Sequence, residues 1–166
     1  MIQKNKQLNA RNKILYEKYQ QSLNTPPVPD TPVSEQENKY SHSSLNEQNK
    51  TELANKIKNL LNNPEMICRQ GFTLKQLAEE SGSNTTYVSQ IINEMFGTSF
   101  SNVLGTYRVK EACRRIKEVE QYRNMTIEGI ANDVGFKSRT ALLNAFKREV
   151  GITPSEYLRM AASEKD

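Results

Sequence analysis

The sequence predicts an all-α fold in which two helix-turn-helix subdomains are joined by a long linker helix. Through residues 51–162, apolar residues recur at the i, i+3, i+4 and i+7 spacing of amphipathic helices. A helix–glycine–helix pattern occurs twice in this region, at matching positions of two successive segments. Four of the six prolines fall within residues 24–50, so we expect a disordered linker and a short N-terminal helix to precede the paired subdomains.

The composition favours a polyanionic partner and argues against a membrane or secreted protein. The 166 residues carry a net charge of +4, with a sequence pI of about 9.0, which suits a polyanion without proving one. No run of about 18 apolar residues is present, and the first residues are polar rather than a secretory signal. We therefore expect a cytoplasmic protein with no membrane span.

The residues that usually carry catalysis or bind metals are few and badly spaced for either task. Cys68 and Cys113 lie far apart with no partner histidine, and His42 sits in a polar tract. This spacing does not make a zinc site, and two buried free thiols are expected instead. Because no phosphate-binding loop or activated nucleophile is visible either, the sequence predicts no enzyme, no metal and no cofactor.

Residues 1–23 are basic and polar and are predicted to form a helix. Leu8, Leu15 and Ser22 recur at heptad spacing with Tyr19 between them, which makes at most two heptads. Three interpretations stay open: a solvated helix, a weak dimer seam, or the stub of an upstream element. The segment 24–50 is rich in Pro, Ser and Asn and too polar to offset its ordering entropy, so it is interpreted as a disordered linker.

The first helix-turn-helix pattern runs over residues 73–100. Thr73 and Gln76 are predicted to form a capping box at the start of one helix. Gly82 is predicted to end that helix with a positive φ, which glycine adopts at little energetic cost. The helix after the turn is predicted to bury one apolar face, formed by Val88, Ile91, Ile92, Met95 and Phe96.

The second pattern runs over residues 126–160. Gly135 follows Ala131 at the same distance as Gly82 follows Ala78, and it is likewise predicted to adopt a positive φ. The helix after this turn is predicted to begin at a serine N-cap and to bury one face, with Ser138 as the cap and Leu142, Ala145, Phe146 and Val150 inside.

Three further helices complete the predicted domain of residues 51–162. One begins near Thr51 and ends before Pro64. The linker helix runs from Ser99 to about Glu120, with its N-terminal half facing the first subdomain and its C-terminal half facing the second. Residues 121–125 are predicted to form a loop, and a capping box at 153–156 is predicted to begin the last helix.

The second helix of each copy is predicted to show solvent a mostly polar face. That face carries Asn84, Thr85, Thr86, Ser89 and Gln90 in the first copy, and Arg139, Thr140 and Asn144 in the second. Such side chains hydrogen-bond base edges and phosphates in the major groove, and no acidic residue lies early in either helix. The pattern favours DNA binding over a non-enzymatic protein-interaction module, an ordinary helical bundle or an enzyme that borrows this domain.

The second copy resembles a known family. Its pattern is similar to the C-terminal DNA-binding domain of AraC/XylS-type transcription regulators, in the residues Ile127-x-x-Ile130-Ala131-x-x-Val134-Gly135-Phe136-x-Ser138-Arg139 and Phe146-Lys147-Arg148-x-x-Gly151-x-Thr153-Pro154-Ser155-x-Tyr157. The resemblance covers about residues 51–162. It implies seven helices, with the recognition helices 84–96 and 138–150 inserted into successive major grooves of double-stranded DNA.

The resemblance also implies which residues contact DNA. The predicted set comprises the residues at and around the start of each recognition helix, Asn84, Thr85, Thr86, Ser89, Gln90, Lys137, Ser138, Arg139, Thr140, Leu143, Asn144 and Lys147. Leu143 departs from the polar residue usual in the family, and contact with a thymine methyl is its alternative role. RNA polymerase and an upstream sensor domain are implied as further partners, and residues 1–50 are expected to be dispensable for binding one DNA site.

Overall fold

The computed structural model describes residues 2–23, 44–118 and 120–163, and every regular element in these ranges is helical. This confirms the predicted all-α fold. The α-helices are α1 (Ile2–Leu23), α2 (Ser44–Leu61), α3 (Pro64–Ile67), α4 (Leu74–Ser81), α5 (Thr85–Phe96), α6 (Phe100–Glu118), α7 (Ile127–Asp133), α8 (Arg139–Val150) and α9 (Pro154–Ser163). None of the described helices is both long and apolar enough to span a bilayer.

The first subdomain is built from α2 to α5 and the N-terminal half of α6. The apolar faces of these helices meet in one cluster, whose most buried members are Ile57, Leu61, Leu77, Val88, Ile91 and Ile92. The short helix α3 is capped by Asn63, whose side-chain oxygen accepts a hydrogen bond from the Glu65 N–H at 3.0 Å. It adds a four-residue helix to the seven that the family resemblance implies.

The second subdomain is built from the C-terminal half of α6 and from α7 to α9. Its cluster has its own buried centre, formed by Cys113, Ile116, Ile130, Leu142, Phe146 and Tyr157. Helix α6 serves both clusters, since Leu104 packs in the first and Val109 in the second. The predicted role of the linker helix is thereby confirmed.

A short 3₁₀ helix, Glu120–Asn124, replaces the loop predicted after α6. Tyr122 explains the difference: it is buried in the second cluster, and its hydroxyl accepts a hydrogen bond from Arg115 Nη1 at 3.1 Å. The connection is therefore held against the core instead of running free over the surface.

Helix α1 packs against the second subdomain. Tyr16 is only 2% exposed, and its ring centroid lies 4.8 Å from that of Tyr157 in α9. The buried Asn12 donates from Nδ2 to Glu156 Oε1 at 2.7 Å. The solvated-helix interpretation is therefore wrong, because amide hydrogen bonds and the packing of Tyr16, with Leu15, Tyr19 and Leu23 beside it, dock this largely polar helix on the core. That residues 1–50 are dispensable for binding one DNA site stays a prediction.

The predicted linker differs from the structure at its C-terminal end. Residues 24–43, with His42, lie outside the described residues, whereas α2 already begins at Ser44. Thr51 Oγ1 donates to the Glu47 carbonyl at 2.9 Å, and Lys50 pairs with Glu94 of α5 at 2.6 Å. Local hydrogen bonding and a contact with another helix thus support helical turns whose composition alone predicts disorder.

Acid is expected to weaken the second subdomain through Glu156. The backbone N–H and the hydroxyl of Thr153 each donate to Glu156 Oε2 at 2.8 Å, as the predicted capping box requires, and they lower the pKa of this carboxyl below its ordinary 4.5. A carboxyl whose pKa is depressed by folding stabilises the fold above its unfolded pKa, and this contribution is lost as the pH falls through the folded value. Unfolding free energies measured against pH should therefore fall less steeply below pH 4.5 for Glu156→Gln than for the parent.

Thr153→Ala is the matched control for this measurement. It keeps the backbone N–H donor, which is the largest cause of the pKa shift, and removes only the hydroxyl. Its pH dependence should lie between those of the parent and Glu156→Gln, and three identical profiles would contradict the role assigned to Glu156.

Candidate nucleic-acid interface

The first turn matches its prediction. Gly82 ends α4 with φ 75°, and its N–H donates to the Glu79 carbonyl at 3.1 Å. Asn84 then caps α5, since its side-chain oxygen accepts from the Tyr87 N–H at 2.8 Å. Because both ends of the turn are closed by hydrogen bonds, the direction of the α5 N-terminus is fixed relative to α4.

The second turn has the same plan but is more crowded. Gly135 has φ 87°, and the next N–H, that of Phe136, donates to the Ala131 carbonyl at 2.8 Å. A Cβ built on Gly135 would lie 2.7 Å from the Cys68 carbonyl oxygen, so a side chain does not fit there at all. Ser138 caps α8, with its Oγ accepting from the Ala141 N–H at 3.1 Å.

On α5, most of the predicted site residues are exposed. Thr85, Thr86 and Gln90 are exposed together with the cap Asn84, whereas Ser89 is half-buried. The Gln90 amide donates to Glu94 Oε1 at 3.1 Å, which leaves its carbonyl oxygen and one N–H available. The hydrogen bond from Lys50 lowers the pKa of the Glu94 carboxyl, so this acceptor stays charged.

On α8 and the residue before its cap, the predicted set is exposed with one exception. The exposed members are Lys137, Ser138, Arg139, Thr140, Asn144 and Lys147, and Leu143 is half-buried. Arg139 and Lys147 form no salt bridge with any residue that the structure describes. The neighbouring Arg148, by contrast, pairs with Glu149 at 2.8 Å. Helix α8 therefore presents uncompensated positive charge, whereas α5 contains no Lys or Arg.

Motif reasoning misses a group of buried charges on α6. Arg108 is 8% exposed, and its Nε donates to the Ile67 carbonyl at 2.6 Å. Glu111 is 6% exposed, and it accepts hydrogen bonds from Arg114 at 2.7 Å and from Arg115 at 2.6 Å. The position of Arg108 in the sequence could have indicated that it is buried. It stands between Leu104 and Ala112 on a stripe of α6 that is otherwise apolar.

The pKa of Glu111 shows how this group stays charged. Burial favours the neutral form of the carboxyl, but the hydrogen bonds from Arg114 and Arg115 outweigh burial and lower its pKa. Arg115 also pairs with Asp133 at the end of α7, so it joins the linker helix to the second subdomain. Pairing of this kind is what allows charges to lie at a subdomain boundary.

The two cysteines are free, but they differ in burial. Cys113 is fully buried, as predicted, whereas Cys68 is only half-buried, because it lies in the loop after α3 between the two subdomains. Burial raises the pKa of both thiols, so neither is activated as a nucleophile.

Two helix-turn-helix units that share one linker helix define the class of the fold. A family model described as a helix-turn-helix domain matches residues 77–160, which is half of the chain. The chain belongs to the AraC-type helix-turn-helix family of transcription regulators.

Curated relatives and a solved structure agree with this assignment. The chain is 30% identical over 91 residues to the uncharacterized HTH-type transcriptional regulator YtdP of Bacillus subtilis, covering 55% of this chain and 11% of the relative. It is 28% identical over 88 residues to a putative AraC-like transcription regulator of Streptomyces lividans, covering 53% of this chain and 28% of that relative. The DNA-binding domain of AdpA, solved in complex with a target DNA, has the same fold with a TM-score of 0.51 and 20% identity, over 70% of this chain and 95% of that one.

Proposed function

We propose that this chain is a sequence-specific, double-stranded DNA-binding transcription regulator that places α5 and α8 in successive major grooves. The observation that carries the proposal is the match between the two units. In each unit the first two residues of the second helix are polar and exposed, and its first turn contains no acidic residue. Helix N-termini also present unpaired N–H groups and a partial positive charge to phosphates. The AdpA complex, with its similar fold, supports DNA as the partner.

The two helices are expected to bind DNA by different means. The exposed cations of the predicted contact set, Lys137, Arg139 and Lys147, all belong to the second unit. Because neutralisation of phosphates supplies much of the affinity for DNA, the second unit is proposed to provide most of the electrostatic attraction. In the first unit, neutral side chains such as Thr85 and Gln90 are proposed to read base edges.

The relatives extend well beyond the region that this chain matches, since the chain spans 11% and 28% of their lengths. An upstream sensor domain is therefore part of the proposal, with RNA polymerase as the partner through which a DNA-bound regulator acts. A chromosomal target places this function in the cytoplasm.

Selection from random duplex DNA followed by salt titration tests the proposed function. We expect enrichment of two adjacent half-sites whose centres lie about one helical turn, or about 34 Å, apart. The logarithm of the affinity should fall linearly with the logarithm of the salt concentration, with a slope of about −0.9 for each phosphate neutralised. If no sequence is enriched and binding is insensitive to salt, the proposal fails and a protein-interaction module becomes the better explanation.

Arg139→Ala is expected to reduce sequence-specific binding. Arg139 follows the Ser138 cap directly and is exposed at the N-terminus of α8, where side chains of a recognition helix reach base edges. Loss of a bidentate contact with guanine should weaken binding to the selected sequence by about 1–3 kcal/mol and relax specificity at one base pair. Competition titrations against duplexes substituted at each position measure both effects.

Lys147→Ala is the matched control for Arg139→Ala. It removes an exposed cation of the same helix nearer its C-terminal end, where contact with phosphate is expected. Lys147→Ala should lose a similar amount of affinity for selected and for random DNA. It should also reduce the salt slope by about 1. Equal losses on selected and random DNA for Arg139→Ala as well would assign Arg139 to phosphate instead of a base.

A further inference from the structure

The turn of the second helix-turn-helix unit rests on the loop that precedes the first. A Cβ on Gly135 would lie 2.7 Å from the carbonyl oxygen and 2.9 Å from the carbonyl carbon of Cys68, so the two backbones are in direct contact. Cys68 lies just after α3, and Gly135 lies just before Phe136 and the cap of α8. We call this contact the inter-subdomain seam, formed by residues 67–69, residues 135–136 and Arg108.

Arg108 occupies the centre of the inter-subdomain seam. Its Nη2 donates to the Arg69 carbonyl at 3.0 Å, which adds to the bond from Nε to the Ile67 carbonyl, so the guanidinium spans the loop on both sides of Cys68. Its Cζ lies 5.8 Å from the centroid of the Phe136 ring, within the range of a cation–π contact. One side chain of the linker helix therefore contacts the loop of the first subdomain and the turn of the second.

We infer that Arg108 is a positioning residue that sets which spacing between two DNA half-sites the protein accepts. The inference rests on the proposed function. A movement of the turn at 135–136 carries the N-terminus of α8 with it, because Ser138 caps α8 only two residues after Phe136. The segment 67–69 ends α3 and lies five residues before α4, the first helix of the other unit. The hydrogen-bonded turn at Gly82 and the Asn84 cap in turn hold α5 to α4. Locking loop and turn together therefore fixes α8 relative to α5.

The chemistry of the contact requires arginine. The planar guanidinium donates in two directions within its own plane, and its Cζ lies over the Phe136 ring. A lysine ammonium is a point charge, so it cannot bond both carbonyls and stack on Phe136 at once. Arg108→Lys keeps the charge but should loosen the seam, and Arg108→Met should release it further.

Half-site spacing is the property to measure. One base pair inserted between the half-sites of the selected duplex moves one half-site by about 3.4 Å and turns it by about 34°. For the parent, such an insertion or deletion is expected to weaken binding by about tenfold or more, comparable to a mismatched base pair. For Arg108→Lys and Arg108→Met, the same change should weaken binding by only about threefold or less. The quantity to compare is the spacing ratio, which is the affinity for the selected duplex divided by the affinity for the duplex of altered spacing. A general loss of active protein lowers both affinities and leaves this ratio unchanged, whereas loosened positioning lowers the ratio.

Two further variants make the outcome decisive. Ile57→Val thins the fully buried core of the first subdomain without changing any residue of the seam, and it should keep the parent's spacing ratio. Phe136→Leu removes the ring under the guanidinium without touching Arg108, so it provides the test if the Arg108 variants do not fold by circular dichroism. Folded variants of Arg108 or Phe136 that keep the parent's ratio would overturn the inference while the proposed function stands. A parent that prefers no DNA sequence at any spacing would instead overturn the proposed function, and this inference with it.

Discussion

Gly135→Ala is expected to destabilise the protein by about 2–5 kcal/mol. The left-handed conformation at φ 87° costs an alanine about 1–2 kcal/mol. The new Cβ would also meet the Cys68 carbonyl at 2.7 Å, and separating two backbones in a packed interface adds a cost of about 1–3 kcal/mol. Urea unfolding followed by circular dichroism measures the total.

Gly82→Ala is the matched control, because Gly82 occupies the corresponding turn of the first unit. Its φ of 75° carries the same conformational cost, but the nearest atom to a Cβ there is the flexible Lys56 Nζ at 3.7 Å. We therefore expect a loss of only about 1–2 kcal/mol. If the two variants are equally stable, the close contact between turn and loop is absent in solution.

Tyr16→Ala is expected to destabilise the second subdomain by about 3–5 kcal/mol, the range for large aromatic residues removed from cores. The Tyr16 ring packs on Tyr157, whose own ring lies 5.4 Å from that of Phe146, so truncation leaves a cavity against the centre of the cluster. Hydrogen exchange should show a larger loss of amide protection in α8 and α9 than in α4 and α5. The reason is that α8 and α9 belong to the second cluster and α4 and α5 to the first.

Ile14→Ala supplies the comparison on the same helix. Ile14 is 64% exposed, so its truncation should change the unfolding free energy by no more than about 0.5 kcal/mol. Both substitutions replace a larger residue with a good helix former, so helix propensity does not separate them. A Tyr16→Ala variant as stable as Ile14→Ala would show that α1 does not dock on the second subdomain.

The parts of the fold that local chemistry determines could be predicted from the sequence. Thr73, Ser138 and Thr153 cap helices through side-chain oxygens a few residues from their partners, and this information lies within one helical turn. Gly82 and Gly135 adopt positive φ for the same local reason. The periodicity of apolar residues also predicts which face of each helix is buried. The opposite faces of α5 and α8 are then the candidate DNA-binding site.

The parts that depend on distant partners could not be predicted in this way. Tyr16 packs against Tyr157 of α9, and Arg108 donates hydrogen bonds to carbonyls at the end of α3 and in the loop that follows it. In a sequence, a buried tyrosine on a polar helix looks like any surface residue, and a buried arginine looks like a solvated one. The half-burial of Ser89 and Leu143 has the same origin, because it depends on how neighbouring helices pack.

Because α1 docks on α9, the order in which the helices are translated differs from the order in which they can pack. Asn12 and Gln20 hydrogen-bond to Glu156 and Tyr157, partners that lie 144 and 137 residues later in the chain. At about 5–20 residues per second, a ribosome takes on the order of 10 s to add that length. Most of the stability of a helix in a protein comes from tertiary packing, which the 22-residue α1 lacks until these partners exist. During this interval the first subdomain has all of its helices and can close its core, so α1 is made before every other described helix and docks among the last.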